Sequence, residues 1–509
     1  DHCPLLVKGG STSTRRSSFR FLNVWRGHSS FQQTVKLAWS QSVSGVGMQK
    51  FFNKLQVVKR ALSRWNVEVF GNVSQRVKQA ADNLLAKEIL YDQNRDTVSR
   101  TAVHEARALH SRELALECEF WRQKAAIKWI KEGDANTSFF HAAVKQKRSC
   151  NFIARIRGSG DSWFDSIEDI KLSASDFFST LFTADRAAGS GIRPSLELPK
   201  LTPEENDMLL KSPSVEEVHT VICSLDSQSA AGPDGFGGGF YQSCWECIKD
   251  DFMDAVQDFF AGASMPRRFS STTITLLPKK EGACEWKDFR PISLSNVSSK
   301  IISKILSTRI NTLLPKLILE FQTGFIPGRG IQDNVLLAQE LILDLDKKLR
   351  HPNVILKLDM EKAYDRVEWG FLLYMLREFG FKEGVVDLVF RLISNVWFSV
   401  LVNGELTSFF KSTRGVRQGD PLSSTLFLFV SEFLGRRLQQ LVANTPRFRF
   451  LRKGGRVPYR ELAEDRVIGT RESGDGRQGV RTWLREEEMG SGQKINVGKR
   501  RCRGSVEIP

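Results

Sequence analysis

Asn353-Val354-Ile355-Leu356-Lys357-Leu358-Asp359-Met360-Glu361-Lys362-Ala363-Tyr364-Asp365 is the stretch that decides the fold. Its first half alternates and is β-branched or apolar, as a half-buried strand should be. Alternation puts Asp359 at the strand's end, on the face opposite Leu356 and Leu358. A carboxylate there can hold a divalent cation on the floor of a cleft. It is also the ordinary solvated acid of a strand end, and taken alone that reading is the simpler one. Tyr364, five residues on, falls past the turn into a helix and is placed to press against a sugar.

Downstream lies Arg414-Gly415-Val416-Arg417-Gln418-Gly419-Asp420-Pro421-Leu422-Ser423-Ser424. This reads as a glycine-containing turn into a helix, with Asp420 as cap and Pro421 at the first helical position. An ordinary capped helix accounts for Asp420 and Pro421, but not for the Arg-Gln-Gly before them. Exposed N–H groups and glycines there let a nucleotide approach closely.

Upstream, Thr272 to Leu277 reads as a short strand, followed by Pro278-Lys279-Lys280 and then Asp288-Phe289-Arg290-Pro291-Ile292-Ser293. Two basic points on such a hairpin suit a triphosphate, Arg290 by bidentate bonds and Lys279 as a point charge. Gln322 to Gly330 reads as a basic loop carrying Arg329, ahead of a helix over 332–350. Ala231-Gly232-Pro233-Asp234-Gly235-Phe236 is a turn by its chemistry. Thr202-Pro203 starts a helix, with Thr202 as N-cap.

Towards the N-terminus, residues 50–130 carry helical periodicity and many charges, which predicts long amphipathic helices. From 121 to 148 basic residues alternate with aromatics. Arg122, Lys128, Lys145, Lys147 and Arg148 can grip RNA by charge, with stacking from the rings; an exposed helix with a buried aromatic stripe fits equally well. Residues 185–200 read as a linker. After Phe450 the composition breaks: residues 451–509 contain no Phe and ten Gly, and periodicity is lost. A disordered basic tail or a break in the reading frame would each give that pattern.

The 74 Lys+Arg against 58 Asp+Glu give a net charge of +16. Such an excess favours nucleic acid over other partners. No run of 18 apolar residues exists, so no membrane helix is expected. The eight Cys are scattered, and Cys244 and Cys247 form a lone CxxC pair that reads as a helix face rather than a zinc site.

In this order, Gly-Pro-Asp-Gly at 232–235, Pro-Lys-Lys at 278–280, Asp-Phe-Arg-Pro-Ile-Ser-Leu at 288–294, Gln-Thr-Gly-Phe at 322–325, the Asp359 strand and Gly-Val-Arg-Gln-Gly-Asp-Pro-Leu-Ser at 415–423 resemble the reverse transcriptase of plant LINE-type (non-LTR) retrotransposons. The resemblance is dense over 229–445. It implies an α+β right-hand polymerase, fingers and palm over 201–450, preceded by a mainly helical extension over 10–200. It also implies an RNA-directed DNA polymerase using two Mg2+, dNTPs, an RNA template and a DNA primer or target DNA, with the nucleus as the expected place of copying. By resemblance Asp359 is a metal ligand, Tyr364 the gate against a ribose 2′-OH, and Gln418 and Gly419 the lining of the nucleotide pocket. Lys279 and Arg290 would hold the triphosphate, while Arg417 and Arg329 would touch nucleic acid or nucleotide. Asp1 and His2, in residues 1–9, resemble the end of the metal-dependent endonuclease that precedes such polymerases.

One departure stands out. Polymerases of this kind carry a second palm hairpin with Tyr/Phe-Ala-Asp-Asp. Here Tyr459 to Ile468 leaves Leu462-Ala463 and Asp465 as a remnant, with Arg466 read at the next acid position. Pro458, Arg460 and Arg466 are expected to spoil the strand pairing. Residues 451–509 therefore read as a degenerate palm end without a thumb, and the chain as inactive, or as a relic that binds nucleic acid without catalysis.

Overall fold

The computed structural model describes residues 18–125, 137–158, 162–184, 196–343, 345, 353–444, 459–462, 465–471, 494–495 and 501–503. Asp1, His2 and Lys128 lie outside the described residues. In chain order the strands are β1 (Ile156–Arg157), β2 (Trp163–Phe164), β3 (Ser271–Pro278), β4 (Phe289–Ser295), β5 (Asn353–Glu361), β6 (Trp397–Val402), β7 (Glu405–Leu406), β8 (Phe410–Lys411), β9 (Tyr459–Leu462), β10 (Asp465–Arg471), β11 (Lys494–Ile495) and β12 (Arg501–Arg503). Helices supply most of the rest.

Two sheets frame the molecule. In the first, β5 is central: β10 pairs with one side of it and β11 and β12 with the other, while β9 extends the sheet beyond β10. Every pairing in this sheet is antiparallel. In the second the order is β4-β3-β6-β7, with β8 also against β6. The β3–β4 hairpin is antiparallel, as the sequence predicts, and β3 runs parallel to β6.

The tail departs from expectation. Four strands, β9 to β12, come from the span read as irregular, and all join the sheet built on β5. Local periodicity is weak there because the pairing partner lies about a hundred residues away in sequence; long-range pairing can override local pattern.

Two helix starts stand where the sequence places them. Thr202 accepts the Glu205 N–H and Glu205 reaches back to Thr202 N–H, closing a capping box with Pro203 at the first helical position. Asp420 Oδ1 accepts the Leu422 N–H at 3.0 Å at the start of the helix Pro421–Asn444. Cys244 is buried and Cys247 half-buried against the main core. Among the described residues no group of three or more His, Cys, Asp or Glu could hold a metal ion, and no helix is long and apolar enough to cross a membrane.

The N-terminal helices share a core with the chain beyond residue 200. The helix Gly47–Trp65 buries Met48, Phe51, Leu55, Val58 and Leu62. Phe51 meets Phe252 at 4.9 Å and Trp39 at 5.5 Å between ring centroids. The Trp39 indole donates to Asp251 at 2.8 Å, and Lys50 and Lys54 pair with the same carboxylate. Gly235 fixes the chain's entry into this core. Its φ is +87°, a Cβ there would lie 2.3 Å from Phe19 O, and its carbonyl accepts the Phe21 N–H at 2.8 Å. A second core joins the helix Ile167–Leu181 to the β3/β6 sheet through Ile170, Phe178, Phe182, Ile274, Phe398 and Val400.

Candidate active site

The site gathers where the end of β5 turns back under the segment 414–420. After Glu361 the chain turns through Lys362, whose φ is +51°. The Asp365 and Arg366 N–H groups both donate to Lys362 O. Backbone bonds then tie this turn to the next segment: Val416 N–H to Tyr364 O at 2.8 Å, and Gly415 N–H to Val367 O at 2.7 Å. Gly415 has φ +85°, and a Cβ there would lie 2.7 Å from Asp365 O. Only glycine allows that approach.

Gln418 joins all three parts. Its side-chain amide donates to Asp365 Oδ1 at 3.2 Å, and its carbonyl accepts the Ser293 N–H of β4 at 3.0 Å. Gly419, at φ +99°, lies against Ser293 O. The Tyr364 ring is half-buried and stacks on Phe427 at 4.9 Å and 20°. Sequence reasoning thus brings Tyr364, Gln418 and Gly419 to one place. Lys279 and Arg290 stand on the adjoining hairpin with exposed side chains. Lys279 Nζ reaches Lys287 O at 3.0 Å.

The register of β10 corrects an expectation. Asp465 is the direct partner of Asp359, Arg466 of Leu358 and Val467 of Lys357. Neither Arg460 nor Arg466 prevents pairing, because each occupies an ordinary ladder position in β9 or β10. Pro458 lies outside the described residues. Directly opposed positions of an antiparallel ladder are about 4.5–5.5 Å apart at Cα. Positions 465 and 466 fall on opposite faces of the sheet, so Arg466 does not share the position of the two acids. The sequence reading also misplaced the hairpin's acids. Counting from Leu462 as the aromatic position, Ala463 follows, and Glu464 and Asp465 occupy the two acid positions. Glu464 lies outside the described residues.

Two arginines assigned to nucleic acid or nucleotide have structural duties instead. Arg417 is buried, and its guanidinium faces Asp420 Oδ2 at 2.6 Å. Arg329 donates to four carbonyls, those of Pro315, Ile318, Leu319 and Gln322, and so fastens its loop to the preceding turn. An isolated Arg in a loop gives no sequence sign of such a role. In the segment 121–148, Lys145 and Arg148 are exposed and Arg122 is half-buried. Lys147 Nζ bonds Ala125 O at 2.6 Å. Lys124 sits over Phe120 and Trp121, at 4.1 and 5.0 Å. Burial, and then the nearby Arg148, lower its pKa.

A buried polar cluster lies behind the loop. Ser303 donates to Asp420 Oδ1, and burial lowers the Lys300 pKa against the pull of Asp420. Asp234, only 4% exposed, accepts the Phe236 N–H at 3.0 Å. Burial pushes its carboxyl up to about 7. Because the unfolded chain ionises that carboxyl near 3.8, this contribution to stability is full below that pH and lost as pH rises towards 7. Between pH 5 and 8 the protein should therefore lose about 2–3 kcal/mol relative to its Asp234→Asn variant. Paired thermal melts at the two pH values check this, and a difference independent of pH would refute it.

The comparisons with known proteins agree with this geometry. The family described as "Reverse transcriptase (RNA-dependent DNA polymerase)" matches residues 277–451. The chain is 27% identical over 367 residues to the Transposon TX1 uncharacterized 149 kDa protein of Xenopus laevis, covering 68% of this chain and 28% of that one. It is 29% identical over 283 residues to the Pol polyprotein of retrotransposable element R2 from Nasonia vitripennis, covering 55% and 26%. The chain thus spans little more than a quarter of either relative. Among solved structures, apo telomerase from Candida tropicalis aligns over 54% of this chain and 57% of that one, at 17% identity and a TM-score of 0.35. Residues 277–451, which hold β4, the central β5 and the Gln-Gly loop, thus match the reverse transcriptase family and are similar to the proteins of retrotransposable elements.

Proposed function

We propose that this chain performs RNA-directed nucleotidyl transfer in the cleft between the β3–β4 hairpin and the β5/β10 strands. The observation that carries the reading is the direct pairing of position 359 with position 465. Two hard carboxylate donors at opposed positions suit a divalent cation, and the neighbouring acid Glu464 suits it further. Asp359 and Asp465 would hold Mg2+, which when bound supplies charge neutralisation at the phosphoryl group. Tyr364, braced by Phe427, would exclude a 2′-OH, and Gln418 and Gly419 would line the nucleotide pocket. Lys279 and Arg290 would hold the triphosphate. The partners under this reading are an RNA template, a DNA primer or target DNA, and dNTPs, with copying in the nucleus. The motif order further supports a plant LINE-type element as the source. Primer extension on an RNA template with Mg2+ tests the proposal. Extension lost in both Asp359→Ala and Asp465→Ala supports it.

A second reading, nucleic-acid binding without turnover, is favoured by one observation: Leu462 and Glu464 depart from the Tyr/Phe-Ala-Asp-Asp pattern. RNA bound but never extended by the intact chain would select it. Both readings expect binding to be steeply salt-dependent, because neutralised phosphates release counterions. Raising salt from about 50 to about 200 mM should weaken RNA binding roughly a hundredfold for a handful of phosphate contacts. Neutralising Lys145 and Arg148 together should flatten that slope. A flat response in the intact chain would remove nucleic acid from both readings.

A further inference from the structure

We propose that His219 and Cys223 form a binding site for a tetrahedral divalent cation, Zn2+ by its chemistry, on the exposed face of the helix Val215–Cys223. The two residues are four apart, so the helix sets their side chains one above the other on one face. Their donor atoms already converge: His219 Nε2 lies 3.6 Å from Cys223 Sγ, and both residues are exposed. With Zn–S of about 2.3 Å and Zn–N of about 2.0–2.1 Å, a tetrahedral angle at the ion puts these two donors about 3.6 Å apart. A linear arrangement with the same bonds would need about 4.3–4.4 Å. An S–H···N hydrogen bond alone also accounts for the distance, and a metal titration separates the two.

The pair is held in place before any ion arrives. The His219 ring lies against the buried Trp245 indole, 5.5 Å between centroids and 27° between planes. The inner face of the helix buries Val218 and Ile222. Ser214 caps its start by accepting the Glu217 N–H at 3.2 Å. Past its end, the Gln242 amide donates to Ile222 O at 3.1 Å and to Leu225 O at 2.7 Å. Ligands on so fixed a backbone lose little freedom when an ion binds. Imidazole and thiolate select Zn2+ over Mg2+, which takes oxygen donors. The site shares no residue with β5 or β10, so it stands or falls apart from the proposed nucleotidyl transfer. No third His, Cys, Asp or Glu among the described residues joins the pair, and water fills the remaining positions. As the ion binds, the S–H bond breaks, a metal–sulfur bond forms and the proton passes to solvent, so binding should tighten as pH rises.

Co2+ stands in for Zn2+ at such sites and reports sulfur ligation through a thiolate-to-metal charge-transfer band. Titrated into the full, reduced chain, it should raise that band to a plateau at equimolar Co2+, and Zn2+ should then abolish it. Cys223→Ser should remove the band. His219→Ala should weaken Co2+ binding by about tenfold or more, since loss of even a group supporting the ligands costs that much. Cys150→Ser, at an exposed thiol of another helix, should change neither. Positions 219 and 223 are exposed, so without metal both variants should melt with the wild type, which separates lost ligation from lost folding. Site-resolved alkylation gives a second readout: Zn2+ should shield Cys223 from iodoacetamide in the wild type but not in His219→Ala. No charge-transfer band in the wild type, a band that survives Cys223→Ser, or equal Co2+ affinity in His219→Ala overturns the site.

Discussion

Phe51→Ala should destabilise the entire chain beyond its N-terminal helices, by about 3–5 kcal/mol, the usual cost of emptying a buried Phe site. Phe51 is fully buried against Phe252, Trp39 and Tyr241. The helix Trp245–Phe260 that it meets carries Ile248, Phe252, Val256 and Phe259 into the core that also receives Leu306 and Phe429. Loss at Phe51 should therefore lower the unfolding midpoint of residues around the site, not only of residues 18–70. Hydrogen exchange resolved along the chain would show this. Protection lost only before residue 100, with 240–430 unchanged, would mean that the N-terminal helices are a separable unit.

The second large effect belongs to Asp359. If Asp359 and Asp465 share a cation, Asp359→Ala removes one of the two opposed donors. Metal stabilisation of a phosphoryl transition state is worth several kcal/mol, and each 1.36 kcal/mol is tenfold in rate. Primer extension should fall at least about a thousandfold. RNA affinity should stay level or rise slightly, because a negative charge leaves a cleft that faces a polyanion. Parallel extension and RNA-binding measurements separate the two effects. Equal loss of both would show that Asp359 supports the fold rather than the chemistry.

Much of this was legible in the sequence, and the reasons are local. Alternation over 353–359 announces β5, Thr202-Pro203 and Asp420-Pro421 announce helix starts, and the spacing of Thr272–Leu277 and Phe289–Ser293 announces the hairpin. Each signal is contained within a few residues. What stayed hidden depends on partners far along the chain. The register of β10 is set by β5, and nothing within Asp465–Arg471 reveals that Asp465 will oppose Asp359. Arg417 and Arg329 read as exposed cations until Asp420 and four carbonyls are found around them. The amphipathic helices of 47–94 show an apolar face but not what it packs against.

Whether β5 and β10 share one cation, as proposed, can be read directly, without turnover. Fe2+ loaded in place of Mg2+ and driven with ascorbate and peroxide generates radicals that cut the main chain beside the ion. Cuts near 359 and near 465 together, both lost in Asp359→Ala, are the expected result. Cuts beside only one of the two strands in the intact chain, or at neither, would contradict a site built across that pair.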